Sequence, residues 1–297
     1  MFYPPSNTRT QNSLLGICIP CYSTPMETSS LSITDGATTI PYNPNLELAV
    51  SEAEQSWRSF CNLTLEQKKG FPYIENVGYE HKDESNGSDL KENFHVTIGA
   101  LRRLAREMAK TNCPEATKFI ASVTALAEFM EEAVREYCEF LEKKYEITGI
   151  ADRILRNKGG WTFRFLHYFP GTTSGKEIAA PHADKGGFTF HLRESTGGIQ
   201  YLNPDKSWES IAVLEDETVL FSGMQMQFAS AGKVIALCHR VVANEISEAE
   251  GRFSVVCFVD MANTPSYDKK THGRMQDHEP GFNYEMSFEE FSKLFAK

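Results

Sequence analysis

The chain has 297 residues, of which 41% are hydrophobic and 24% charged, a composition able to bury a large core. Its net charge of −10 argues against a nucleic-acid partner, which normally requires a basic face. The longest apolar stretch near the start, residues 14–21, is too short to span a bilayer and lacks the flanks of a signal peptide. We therefore expect a cytoplasmic protein that acts on a small molecule, without a membrane or nucleic-acid partner.

Seven cysteines are spread over the whole length, and this odd number does not suggest a disulfide framework. Cys18 and Cys21 have the spacing of a redox or zinc pair. No second pair accompanies them, however, and no strand–helix pattern follows. We interpret them as ordinary thiols.

The first half of the chain predicts mainly helices. The first forty or so residues are rich in Pro, Ser and Thr and read as an extended lead-in. Short helices are predicted over 48–60 and from 63 to 69, and the clearest helix over 115–145, where apolar residues recur at steps of three and four. Residues 1–155 are accordingly predicted to form a helical and extended region that packs on a core.

The second half predicts strands. Between residues 161 and 261, β-branched and aromatic runs are broken by Gly, Pro and Asn. The runs cover residues 188–190, 198–202, 210–213, 218–221, 234–242 and 253–260. About eight strands without intervening helices indicate an antiparallel sandwich or jelly roll over residues 156–262. Residues 263–297 are predicted as a loop and a helix opened by Ser287 and Glu290. The expected fold is mainly β with helical support, of the α+β class.

Three residues in the strand region have the pattern of metal ligands. His182 and Asp184 lie two apart, so on a strand their side chains point to the same face. His239, in the strand-like run 234–242, is the best third ligand. Two imidazoles and one carboxylate leave coordination positions open, which favours ferrous iron in oxygen chemistry over structural zinc.

Arg252 and Ser254 repeat the same-face spacing on the last strand. A guanidinium fork with a hydroxyl is a good receptor for a carboxylate. A keto acid could then chelate the metal while its distal carboxylate meets Arg252. Each motif is common alone, and the indication comes from their joint occurrence, in this order, on predicted strands.

The same motifs resemble the isopenicillin N synthase-like family of 2-oxoglutarate- and iron(II)-dependent dioxygenases. The resemblance rests on residues 164–170, which end in a Tyr-Pro-like motif, and on residues 181–184, 197–201, 222–224, 239–241 and 252–254. It implies a double-stranded β-helix, or jelly roll, packed by N-terminal helices. It also implies Fe(II), 2-oxoglutarate and O2 as cofactors, with ascorbate as a stimulant, and adds Tyr168 to the cosubstrate contacts.

The implied activity is hydroxylation or desaturation of a small molecule with release of succinate and CO2. Asp184 favours this over halogenation, since related halogenases lack that carboxylate. Two positions depart from the family pattern: Phe169 stands where a tyrosine is frequent, and the acidic insert 245–250 is expected to form a wide hairpin turn.

Substrate contacts are expected around the mouth of the barrel, from Arg164, Phe190, His191, Arg193, Gln225 and Gln227. Three alternatives remain open: an iron oxidase of the same fold that does not use 2-oxoglutarate, a non-catalytic jelly-roll binding protein, and a cupin-type zinc hydrolase or isomerase. The sequence leaves the substrate's identity and the oligomeric state undetermined.

Overall fold

The structure, a computed structural model, describes residues 32–34, 37–83, 90–203, 205, 207–230 and 232–262. The Cys18–Cys21 pair and the helix predicted from Ser287 lie outside these residues. Within the described ranges, no helix has both the length and the apolarity needed to cross a bilayer.

Seven α-helices occur in the described residues. They are α1 Pro44–Cys61, α2 Leu65–Lys69, α3 Leu101–Met108, α4 Pro114–Tyr145, α5 Ile150–Leu155, α6 Met224–Ala229 and α7 Glu245–Glu250. Helices α1 and α4 both begin with a proline, whose fixed φ suits the first helical position. Asn43 caps α1 by accepting a hydrogen bond from the Leu46 amide at 2.9 Å.

The apolar stripe of α4 packs against both α1 and the sheet. The ring of Phe119 lies 5.5 Å from that of Trp57 and 4.9 Å from that of Phe165. Further along, Tyr137 meets Phe188 edge to face at 4.9 Å. The helices predicted over 48–60, 63–69 and 115–145 are therefore present as α1, α2 and α4.

In the part of the chain that the structure describes, twelve strands form two antiparallel sheets. They are β1 Ser32–Thr34, β2 Ala37–Pro41, β3 Gly78–Lys82, β4 Lys91–Thr97, β5 Thr162–Tyr168, β6 Glu177–His182, β7 Phe188–Glu194, β8 Ile199–Leu202, β9 Trp208–Ser210, β10 Glu217–Ser222, β11 His239–Val242 and β12 Arg252–Val259. The large sheet has the order β1-β2-β10-β7-β12-β5-β4-β3, and the small sheet β6-β11-β8-β9.

Strand alternation divides the interior into two cores. On β5, Phe163 and Phe165 face the helices, whereas Leu166 and Tyr168 belong to a second apolar cluster shared with the small sheet. Successive side chains of a strand point to opposite faces, so the large sheet separates a helical layer from a chamber between the sheets. The predicted mainly β architecture with helical support is confirmed.

Several local predictions are wrong. The strand predicted over 210–213 lies instead at Trp208–Ser210. Only His239–Val242 of the run 234–242 is a strand, because side chains bind the backbone before it: the Val234 amide donates to Ser230 Oγ at 3.0 Å and the Ala236 amide to Gln227 Oε1 at 2.9 Å.

The strand region also contains two helices, α6 and α7, where none was expected. The insert 245–250 forms α7 rather than a hairpin turn because Asn244 and Ser247 make a capping box, each side chain accepting from the other's amide at 2.8 Å. Before residue 155, strands β1 to β4 join the large sheet, which the sequence did not predict. The domain boundaries themselves stay a prediction.

Candidate metal and cosubstrate site

The three predicted metal ligands come together where two strands of the small sheet meet. His182 ends β6 and His239 begins β11, and the two are cross-strand partners with ring centroids 4.4 Å apart. Asp184 follows His182 by two residues. One ligand atom from each of the three side chains lies within 4.8 Å of the others. The pairing of β6 with β11, together with the residues that directly follow β6, thus assembles two imidazoles and a carboxylate at one point.

Backbone carbonyls orient both imidazoles. His182 Nδ1 lies 2.8 Å from the Ala180 oxygen, and His239 Nδ1 lies 3.1 Å from the Leu237 oxygen. A carbonyl only accepts, so these contacts assign the hydrogen to Nδ1 in each ring. Nε2 of both rings is then free to bind a cation.

The ionisation of the cluster suits metal binding. Burial alone would raise the pKa of Asp184, but His239, His182 and a 2.5 Å hydrogen bond from Thr189 bring that pKa below its usual value. Burial and the nearby His182 lower the pKa of His239 to about 4, against the opposing effect of Asp184. At neutral pH the cluster therefore presents a neutral His239 and an ionised carboxylate, the forms that bind metals.

Gly223 lets the turn formed by residues 222–224 pack closely against the loop that carries Asp184. A Cβ at Gly223 would lie 2.3 Å from the Gly186 carbonyl oxygen, a distance that no other residue could accommodate without movement. The next amide, of Met224, donates to the Asp184 carbonyl at 2.8 Å. Residues 222–224 therefore fix the backbone that carries the carboxylate ligand.

The cluster opens into a cavity between the sheets, of roughly 490 Å³ including its mouth. Arg252, Ser254 and Tyr168, the predicted cosubstrate contacts, all line it. Arg252 and Tyr168 are paired in register on β12 and β5. Arg252 is only 1% exposed, and its Nε has no hydrogen-bond partner among the described residues.

Arg252 also has a partner that the sequence did not predict. Its Nη2 donates to the carboxylate of Glu194, which is itself almost fully buried. Burial would raise the pKa of Glu194, but His191 and Arg252 lower it overall. Half of the guanidinium fork is therefore engaged within the protein, while the Nε side faces no described acceptor.

A β-bulge explains why alternation could not reveal Glu194. In the pairing of β12 with β7, Val256 opposes His191 and Ser254 opposes Glu194, with a register shift between Val255 and Val256. His191 and Glu194 thus lie on the same side of β7, with His191 Nε2 3.6 Å from Glu194 Oε2, although they are three residues apart. A regular strand would place them on opposite faces.

The predicted substrate residues divide into two groups. Arg164 and His191 line the cavity. The expectation that the other four surround its mouth is wrong. Phe190 packs on the helical side against Tyr137 at 6.2 Å, and Arg193 turns to Glu54 at 3.4 Å.

The two glutamines of this second group support the backbone instead. Gln225 Oε1 accepts from the Met261 amide and Gln227 Oε1 from the Ala236 amide, each at 2.9 Å. Phe169, at the position where a tyrosine is frequent, also lies outside the cavity lining, with its ring 5.3 Å from that of His167.

A second buried carboxylate has metal-like neighbours. Cys61, Glu92 and His167 also bring ligand atoms within 4.8 Å of one another. Here, however, Glu92 accepts from Lys68 Nζ at 2.6 Å, from the Tyr79 hydroxyl at 2.6 Å and from His167 Nδ1 at 2.8 Å. We call these five residues the Glu92 cluster. Its lysine supplies the positive charge that a metal would otherwise provide.

Comparison with known proteins agrees with this geometry. Residues 162–260 match the model of the 2OG-Fe(II) oxygenase superfamily. A rice (Oryza sativa subsp. japonica) protein, "2-oxoglutarate-dependent dioxygenase 21, chloroplastic", is 25% identical over 174 residues, which are 56% of this chain and 50% of the relative. The chain thus spans about half the length of that relative.

Solved structures share the fold. A putative 2OG-Fe(II) oxygenase from Caulobacter crescentus superposes with a TM-score of 0.64 at 22% identity, covering 77% of this chain and 78% of that one. Dioxygenase for auxin oxidation 1 from Arabidopsis thaliana, solved with 2-oxoglutarate, gives a TM-score of 0.63 at 17% identity, covering 78% and 86%. The predicted double-stranded β-helix core is confirmed by these likenesses.

Proposed function

The chain belongs to the 2OG-Fe(II) oxygenase superfamily, and from this premise we propose that it is an Fe(II)- and 2-oxoglutarate-dependent dioxygenase. It would hydroxylate or desaturate a small molecule and release succinate and CO2. One observation carries the proposal: the His182–His239 pair and the ionised Asp184 lie on the wall of the cavity that Arg252 also lines. Metal ligands and a carboxylate receptor thus share one chamber.

The donor set fits ferrous iron. Two neutral imidazole nitrogens and one carboxylate are the ligands of mononuclear iron oxygenases, and they leave positions open for cosubstrate and O2. Iron(II) held there would supply the oxidising chemistry together with 2-oxoglutarate and O2. Thr189 would keep Asp184 oriented, and the Ala180 and Leu237 carbonyls would keep the rings oriented.

2-Oxoglutarate would be bound by Arg252, Ser254 and Tyr168. The free Nε side of Arg252 can bind the distal carboxylate of 2-oxoglutarate while Nη2 stays with Glu194. Apolar residues such as Ile199, Phe221 and Val256 line the remaining wall. They would exclude water from the reacting groups.

The Arg252–Glu194 pair also supports a second candidate, an iron oxidase of the same fold that does not use 2-oxoglutarate. In that protein Glu194 would be the permanent partner of Arg252. The metal ligands would be the same, so the two candidates differ only in cosubstrate binding.

The partner we propose is a small molecule. The Arabidopsis neighbour is by its name a dioxygenase for auxin oxidation, which is consistent with such a substrate. The cytoplasmic location stays a prediction, and the rice relative is described as chloroplastic.

The proposal is tested by the visible charge-transfer band of the iron–2-oxoglutarate chelate. Metal-free protein would be reconstituted with Fe(II) under anaerobic conditions and titrated with 2-oxoglutarate. We expect a band that His239→Ala removes, Arg252→Ala weakens, and the control His167→Ala retains. Iron binding without a band would favour the oxidase, and failure to bind iron would contradict both candidates.

A further inference from the structure

Arg164 lies at the end of the cavity away from the cosubstrate receptor. It is on β5, four residues before Tyr168, the in-register partner of Arg252. Four strand residues span roughly 13 Å, so the two arginines mark opposite ends of the chamber. Arg164 and Asp184 both line it.

Unlike Arg252, Arg164 has no acidic partner in the described part of the chain. No carboxylate of the described residues forms an ion pair with it, and its buried Nε lacks a hydrogen-bond partner. Its guanidinium carbon lies 4.7 Å from the centre of the Phe258 ring. That contact covers a face of the guanidinium, whereas its N–H groups lie in the plane, and the buried Nε–H lacks an acceptor among the described residues.

We propose that Arg164 binds the carboxylate of the substrate, and that the substrate is a small monocarboxylic acid. The planar fork of an arginine matches a carboxylate in two parallel hydrogen bonds. Among the described residues, the lysines and arginines that line the cavity are Arg164 and Arg252, and Arg252 is paired with Glu194. A singly charged ligand therefore fits Arg164 better than a phosphate dianion, the more so because Asp184 lines the same cavity. Phe258, beside the fork, offers an apolar surface to the organic part of the acid.

This inference rests on the proposed function, since it assumes that iron and 2-oxoglutarate occupy the other end of the cavity. It assigns to Arg164 a substrate role separate from the cosubstrate role of Arg252. The acid would be held by its carboxylate, so the C–H bond that reacts would belong to the part of the molecule that extends from Arg164 toward His182.

The test compares acids with uncharged isosteres. Protein loaded with Fe(II) and saturating 2-oxoglutarate would be titrated anaerobically with phenylacetate, indole-3-acetate and hexanoate, and with the primary amide of each. Calorimetry gives the dissociation constants. Because 2-oxoglutarate already occupies its positions on the metal and its contact with Arg252, the acid must bind elsewhere. For at least one pair we expect the acid to bind about tenfold more tightly than the amide.

Arg164→Gln should reduce this acid-to-amide ratio to about 1, and Arg164→Lys should retain part of it. The matched control is Arg58→Gln, since Arg58 stacks on Phe253 at 4.3 Å outside the cavity lining; it should leave the ratio unchanged. The proposal is overturned if no pair prefers the acid, or if the preference survives in Arg164→Gln. The chelate band in the same samples keeps this outcome distinct from a failure of the proposed function.

Discussion

Two buried carboxylates of this protein, Asp184 and Glu92, both lie beside a histidine but differ in their hydrogen-bond partners. Each has a histidine nearby, and each has a lowered pKa. Glu92 is bonded by Lys68, Tyr79 and His167. Within the described ranges, Asp184 accepts one side-chain hydrogen bond, from Thr189. A histidine beside an acid is thus insufficient to identify a metal site.

The difference is where the compensating cation comes from. A buried anion is costly unless a positive charge faces it. Lys68 provides that charge within the Glu92 cluster, whereas no lysine or arginine of the described residues forms an ion pair with Asp184. We therefore interpret the Glu92 cluster as a stabilising element and the Asp184 cluster as a binding element.

The largest effect is expected from removing the lysine. Lys68→Ala would leave Glu92 buried and uncompensated, so the free energy of unfolding should fall by about 3–5 kcal/mol, as measured by urea denaturation. The control Lys82→Ala removes the partly exposed pair with Glu80 and should cost less than about 1 kcal/mol. Equal losses in the two variants would contradict the role assigned to Lys68.

The second-largest loss of stability is expected from Glu194→Gln. It leaves Arg252 without its buried counter-ion, at a cost of about 3 kcal/mol. In the variant, 2-oxoglutarate should raise the melting temperature more than in the wild type, because its carboxylate replaces the lost charge. The control Glu131→Gln breaks an exposed pair with Lys158 and should leave the 2-oxoglutarate shift unaltered. A smaller shift in Glu194→Gln would instead mean that Glu194 helps Arg252 to receive the cosubstrate.

Thr189→Val tests the support of the metal ligand. Without the hydroxyl, Asp184 loses its oriented hydrogen bond, and the dissociation constant for iron should rise about 10–100-fold. Thr218→Val is the matched control, since Thr218 donates to the His191 carbonyl at 3.0 Å and does not bond Asp184. Equal iron affinities in Thr189→Val and wild type would exclude this role.

The smallest effect is a pH dependence in the Glu92 cluster. Burial opposes the shift, but bonds from His167, Lys68 and Tyr79 lower the pKa of Glu92 to about 2, from 4.5. A lowered folded pKa stabilises the protein above the unfolded value, and this contribution is lost as pH falls from 4.5 toward 2. Glu92→Gln should therefore lose less stability than wild type between pH 5 and 3. If wild type and Glu92→Gln lost the same free energy of unfolding between pH 5 and 3, the lowered pKa of Glu92 would be contradicted.

The sequence predicted what depends on local alternation. Arg252 and Ser254 share a face because they are two positions apart on β12. His182 and Asp184 have the same spacing, with His182 at the end of β6 and Asp184 just beyond it. The long helix followed from its apolar spacing. These features need no knowledge of distant partners.

The remaining features depend on contacts between distant residues. Glu194 reaches Arg252 through a bulge in the pairing of β7 with β12. The run before His239 does not form a strand because Ser230 and Gln227 take its amides. The Glu92 cluster joins α1 and α2 to β3, β4 and β5, so no spacing along the chain could reveal it.

The most direct test is an anaerobic Fe(II) titration that compares the two carboxylates. We predict that wild-type protein binds one ion per chain that Asp184→Ala does not bind, and that His167→Ala still binds this ion because the Glu92 cluster holds a lysine instead of a metal. Retention of that ion by Asp184→Ala, or its loss in a folded His167→Ala protein, would contradict the assignment of the metal to His182, Asp184 and His239.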